Sequence, residues 1–146
     1  MHPCVILYAE DEADDVFFLG RAFELAGLLH TLTAVPDGEQ AIEYLAGGGV
    51  FSDRAQCPLP NLILLDINMP KQSGLDVLAW LRGEPHLKSL PALIFTSSSR
   101  PEDLEKARQL GADDYLLKPS NPRDLVELVT SLHERWVSRA FASSPA

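Results

Sequence analysis

Cysteine is scarce in this chain of 146 residues. Cys4 and Cys57 are too few and too far apart for a metal quartet or a disulfide framework, so both are read as free thiols in a reducing compartment. Long apolar runs are missing as well: none approaches the roughly 18 residues of a membrane-spanning helix, and no secretory segment follows Met1. Basic residues are in deficit, with 12 Lys and Arg against 21 Asp and Glu and a formal net charge of -9. That balance argues against nucleic acid as a direct partner, because phosphate binding needs clustered cations. The absences exclude disulfide scaffolds and membrane spans and argue against direct nucleic-acid binders. They leave a cytoplasmic protein whose acidic surface suits a cation or a basic protein patch.

What is present is ordinary globular composition, 46% hydrophobic and 23% charged, enough for one domain with a full core. The chain is organised around Asn61–Pro70, where the run Leu62-Ile63-Leu64-Leu65 delivers Asp66. Four apolar residues are too short for a helix and too uniform for a half-exposed strand, which predicts a central strand buried on both faces. Cys4–Ala9 and Ala92–Phe95 repeat the pattern, Asp114–Leu117 is a short strand ending at Lys118-Pro119, and Leu29–Val35 is a weaker strand. Between them, apolar residues recur at helical spacing: Val16, Leu19, Phe23 and Ala26 up to Gly27; Ala41, Ile42 and Leu45; Leu75, Leu78, Ala79 and Leu81 after a Ser73 cap; Leu104, Ala107 and Leu110 after Pro101; and Leu125, Leu128, Val129, Leu132 and Trp136 from about Pro122. The Gly- and Pro-punctuated stretch 47–60 is a long surface connection. Five strands alternating with five helices predict an α/β fold, a parallel sheet covered on both faces through right-handed crossovers. The domain is expected over 1–137, with 138–146 a short tail that frays.

Four strands end in something reactive: Glu10-Asp11, Asp66, Thr96 and Lys118. In open parallel sheets ligands bind beyond the carboxyl ends of the strands, so these residues are expected to converge. Three nearby carboxylates repel one another unless a cation compensates. Magnesium fits, since it prefers one or two carboxylates with water and phosphate oxygens. Asp11 and Asp66 supply carboxylates, and the backbone carbonyl of Asn68 lies close enough to add an oxygen. An aspartate beside such an ion is a nucleophile toward phosphorus, and Lys118 and Thr96 suit the phosphoryl oxygens. Each piece alone has a bland reading, as a turn, a helix cap or a solvated loop. Their order at the ends of strands one, three, four and five is what chance placement would not give.

With these residues in view, the chain resembles the receiver domains of two-component response regulators from Cys4 to about Trp136. The resemblance is carried by Ala9-Glu10-Asp11-Glu12, Leu64-Leu65-Asp66-Ile67-Asn68-Met69-Pro70 with Ser73-Gly74, Phe95-Thr96-Ser97, and Gly111-Ala112-Asp113-Asp114-Tyr115 leading to Lys118-Pro119. It implies a flavodoxin-like, doubly wound sheet of order 2-1-3-4-5. It implies that Asp66 accepts a phosphoryl group from a sensor histidine kinase in a self-catalysed transfer and loses it by autodephosphorylation. Glu10 and Asp11 would help hold Mg2+ and Lys118 would contact the phosphoryl group. Thr96 would shift toward that group while Tyr115 turns inward, and the bond before Pro119 would be cis. Within the family the chain looks most like stand-alone receivers that partner bacterial phytochromes, on the cues Glu10-Asp11 with Asp14-Asp15, Ala41-Ile42-Glu43-Tyr44-Leu45, the long insert before Asn61, and Thr96-Ser97-Ser98. Glu10 replaces the aspartate of many receivers, a change that keeps metal binding, and Ser98 leaves the phosphate lifetime open.

Two other readings stand beside this one. A magnesium-dependent aspartate-nucleophile phosphatase would carry a second aspartate where this chain has Asn68, and so lacks its acid. A flavin-binding module on the same fold would need a phosphate-cradling loop where Glu10-Asp11 would repel phosphate. Phe17, Phe18, Arg21 and Leu25 fall off the core stripe of the first helix. Either they pack loosely under loops, or Phe18, Arg21 and Leu25 form a kinase-docking patch. Trp136, Val137 and Phe141 extend an apolar strip past the expected domain end, which fits a homodimer contact or a tail folded over its own core. No effector domain is expected after Trp136, so output is expected through protein contacts.

Overall fold

In the computed structural model, which describes residues 4–137, strands β1 (Val5–Ala9), β2 (Thr31–Val35), β3 (Leu62–Leu65), β4 (Ala92–Thr96) and β5 (Asp114–Leu117) alternate with helices α1 (Ala13–Leu25), α2 (Gly38–Ala46), α3 (Gly74–Arg82), α4 (Pro101–Gln109) and α5 (Pro122–Leu132). All strand pairs are parallel and the order is β2-β1-β3-β4-β5. This is the expected doubly wound α/β sheet, whose order reverses between β1 and β3. A crevice opens at that reversal, just past the strand ends.

Local chemistry starts and stops the helices. Asp37 accepts a hydrogen bond from the Gln40 amide (2.8 Å) and caps α2, which ends at Gly47 in the left-handed region (φ 73°). Ser73 and Asp76 form a reciprocal capping box on α3. Asn121 accepts from the Asp124 amide at the start of α5, one residue ahead of Pro122. The long 47–60 connection holds a short 3-10 turn, Gly49–Phe51. It is tied down by Arg54, whose guanidinium donates to the carbonyls of Tyr44 (2.8 Å) and Leu45 (2.9 Å) at the open end of α2.

Strand alternation splits the core in two. Leu7, Ala9, Ile63, Leu65 and Ile94 face α2, α3 and α4, and Ile6, Tyr8, Leu64, Leu93 and Phe95 face α1 and α5. The helical stripes differ from expectation in places. On α3 Val77 is buried in the cluster it shares with Ala41 and Leu45 of α2, and Ala79 is exposed. Leu104 is half exposed, because α4 is largely polar and buries only Ala107. Tyr44, on α2, is an unexpected core residue, and its hydroxyl donates to the Pro58 carbonyl (2.8 Å). The last helix changes pitch, with a π-helical turn over His133–Val137. Val137 is buried in the chain's own core and Trp136 packs partly against it. Phe141 and the 138–146 tail lie outside the described residues. The peptide bonds of the described residues are trans, including the bond before Pro119, so the implied cis bond is not adopted here. No helix among them is long and apolar enough to cross a membrane.

The approach of α3 to β3 sets the floor of the crevice. The Gly74 amide donates to the Asp66 carbonyl (2.9 Å), and a Cβ at Gly74 would lie 2.3 Å from that oxygen. No side chain fits without moving the backbone of Asp66 itself. Gly74→Ala is expected to destabilise the fold by about 1–3 kcal/mol, the usual penalty for overpacking. Gly83→Ala, where the new Cβ would meet its nearest neighbour at 3.4 Å, is the control. Urea unfolding measures both, and equal midpoints for the two variants would contradict this account.

Candidate functional site

The hydrogen-bond ladder continues one residue past β1, β3 and β5. The Glu10 amide donates to Val35 O (2.9 Å), the Asp66 amide to Ala9 O (3.1 Å), and the Lys118 amide to Thr96 O (2.8 Å). Glu10, Asp66 and Lys118 therefore have their backbones pinned to the neighbouring strand before their side chains enter the crevice. Glu10, Asp66 and Lys118 also share side-chain parity with Tyr8, Leu64 and Leu116, so all three face the α1 and α5 side of the sheet.

Asp66 is the centre. Its Oδ1 accepts from the Thr96 hydroxyl (2.7 Å) and from the Asn68 amide (3.1 Å), and its Oδ2 accepts from Lys118 Nζ (2.7 Å). Asp66, Glu10 and Thr96 are buried, and the Lys118 side chain is nearly so. The same Nζ also donates to Glu10 Oε1 and to Asp15 Oδ2 (2.8 Å). Thr96 thus already engages Asp66 in this structure. Tyr115 is half-buried, its hydroxyl donating to the Ser98 carbonyl (2.8 Å) in the loop after β4. Asp11 is exposed beside Glu10, and Asn68 reaches the site through its backbone. Phe18, Arg21 and Leu25 lie outside this network, exposed on α1, with Arg21 paired to Glu24 (3.1 Å).

Two residues belong to the site that the sequence reading did not place there. Tyr8 lies two residues before Glu10 on the same face, and its hydroxyl donates to Glu10 Oε1 (3.1 Å). The period-2 alternation of a strand could have found it. By position Asp15 is a favourable charge in the first turn of α1, and only the packing of that helix on this face brings it to Lys118.

Electrostatics follow from burial and crowding. Burial, reinforced by the neighbouring Asp66, pushes Glu10 up to about 7 despite Lys118. Burial also opposes the charge on Asp66, yet Glu10, Lys118 and Thr96 hold its carboxyl below the ordinary range. Lys118 is raised: burial works against its charge, and hydrogen bonds to Asp15, Asp66 and Glu10 outweigh it. The site therefore holds more negative charge than one ammonium neutralises, on hard oxygen donors, which is chemistry that suits a hard divalent cation. Among the described residues no three His, Cys, Asp or Glu side chains already enclose a metal position. Lys118 stands between Glu10 and Asp66 as the resident cation.

A profile of the response regulator receiver domain matches residues 6–130. The chain belongs to this receiver family. Its members are signalling modules whose mechanism is phosphorylation of an aspartate. The receiver is 33% identical over 135 residues to response regulator Rcp1 of Synechocystis sp. (strain ATCC 27184 / PCC 6803 / Kazusa), covering 92% of this chain and 90% of that protein. It is similar in structure to the phosphorylated cyanobacterial phytochrome response regulator RcpA, with a TM-score of 0.86 at 30% identity over 94% of this chain and 96% of the other. It is also similar to the Mn(2+)-bound form of Rcp1, with a TM-score of 0.81 at 34% identity over 92% and 94%.

The raised Glu10 carboxyl makes the receiver sensitive to pH. From about 4.5 to about 7 the folded state keeps a proton that the unfolded chain releases, so stability falls as pH rises through that window. The opposite contribution of Asp66 lies below about 3.8 and does not overlap. Unfolding in a chelating buffer at several pH values is expected to show this slope in the wild type relative to Glu10→Gln. A pH-independent difference between the two would contradict the assignment.

Proposed function

We propose that this receiver accepts a phosphoryl group on Asp66 from a sensor histidine kinase and signals through phosphorylation-dependent protein contacts in the cytoplasm. The observation that carries the proposal is the buried Asp66 carboxylate at the strand-order reversal, held at one oxygen by Thr96 and at the other by Lys118. In the transfer, an Asp66 carboxylate oxygen bonds to phosphorus while the nitrogen–phosphorus bond of the donor breaks, its electron pair returning to the imidazole. Lys118 and Thr96 are then placed to hold phosphoryl oxygens, leaving the protein little covalent work. Glu10, Asp11, Asp66 and the Asn68 carbonyl would hold Mg2+, which when bound neutralises charge on the transferred group. Loss of the group by water attack on the acyl phosphate completes the cycle. Tyr115, tied to the β4–α4 loop that Thr96 opens, is the second switch residue.

The kinase is proposed to be a bacterial phytochrome, on the likeness to Rcp1 and RcpA. Its docking patch is proposed to be Phe18, Arg21 and Leu25, since Phe18 is half exposed and borders the cavity that ends at Lys118. Asn68, which offers the site a backbone amide and no acidic group, favours a switch over a phosphatase.

Incubation with a small acyl phosphate and Mg2+ is expected to give one phosphoryl adduct by intact mass on wild type and none on Asp66→Asn; an equal adduct on the variant would overturn the proposal. For docking, Phe18→Glu is expected to slow transfer from the kinase by about tenfold or more, the effect of losing one interface anchor. Small-donor phosphorylation should be spared, and unchanged kinase transfer would refute the patch.

A further inference from the structure

Lys118 presents a conflict that the phosphoacceptor reading does not resolve. An ammonium has three donors, and here all three go to carboxylates: Glu10, Asp15 and Asp66. Two of those carboxylates are the oxygens a divalent cation needs. Left beside the incoming ion, the ammonium would face strong like-charge repulsion in a poorly solvated crevice. Driven off with no partner, it would be a desolvated, uncompensated charge. Lys118 therefore needs a partner outside the set of metal ligands.

Asp15 is that partner by position. It stands on α1 and not at a strand end, and its side chain is 38% exposed where those of Glu10 and Asp66 are 0% and 5%. A cavity of about 180 Å³, lined by Asp15, Phe18, Phe95, Pro119 and Leu125, lies against Lys118 and gives its side chain room to swing. The backbone need not move, since the Lys118 amide stays on Thr96 O (2.8 Å). We propose that Asp15 is a positioning residue that takes the Lys118 ammonium from Glu10 and Asp66 when a divalent cation enters, keeping it within reach of the phosphoryl site. This inference rests on the proposed metal-assisted phosphoacceptor function.

Asp14 supplies the control, because it carries the same charge one residue away and is exposed. Calorimetric titration with Mg2+ in moderate salt, which screens the general field, is expected to show Asp15→Asn binding about tenfold more weakly than Asp14→Asn. Asp15→Glu is expected to recover most of the affinity. Equal affinities for Asp14→Asn and Asp15→Asn would overturn the inference alone, whereas a wild type that binds no divalent cation would overturn the metal set proposed above. The second readout is the Lys118 ammonium resonance in Mg2+-loaded protein. It should stay protected from exchange in the wild type and be lost in Asp15→Asn; protection that persists in the variant would sink the idea independently of affinity.

Discussion

The site depends on one constraint: carboxyl groups buried at the edge of a parallel sheet need a cation, or failing that a proton, to balance them. Glu10 and Asp66 are almost fully removed from water, and removing the partner of a buried charge typically costs about 3–5 kcal/mol. Lys118 supplies that partner in the structure, and the same requirement makes the crevice receptive to a metal ion or to a change of charge on Asp66. A site balanced in this way responds to small changes in its charge. A phosphoryl group on Asp66, as proposed, would add negative charge at the point where the network is centred, which is the physical basis proposed for a switch.

The sheet delivers this balance with little freedom. Because the ladder runs one residue beyond β1, β3 and β5, the backbones of Glu10, Asp66 and Lys118 are fixed by the same hydrogen bonds that hold the strands together. The α3 helix closes against Asp66 through Gly74, where no Cβ fits. Thr96 ends the central strand β4, and the loop it opens carries Ser98, whose carbonyl holds the Tyr115 hydroxyl. The Thr96 hydroxyl is thus one short loop from a half-exposed aromatic side chain, so the proposed phosphoacceptor and the proposed switch residues share one edge of the fold.

Much of this could be read from the residues. The uniform apolar runs before Asp66 and Thr96 announced central strands, and their polar ends announced the crevice, because burial on both faces leaves no other explanation for such runs. Helix starts were legible where a cap or a first-turn proline was spelled out, as at Ser73 and Pro101. Helix faces were less so: Val77 against Ala79, and Leu104 on α4, turned on which neighbours each helix meets, and periodicity alone does not choose between adjacent arcs. Tyr44 was missed because its polar hydroxyl hides a core role that depends on the Pro58 carbonyl across the 47–60 connection.

By itself the sequence determined the α/β class and the residues at the strand ends, because hydrophobic period and chain order are local properties. Through its motifs it also pointed to the receiver family. Tertiary structure alone decided which cation neutralises which carboxylate. Lys118 bridges Glu10, Asp15 and Asp66 only because side-chain parity and the packing of α1 bring residues more than 100 positions apart within 3 Å. Asp15 shows the difference most clearly, since in the sequence it is a charge at a helix start and in the fold it is a partner of the lysine beside Asp66.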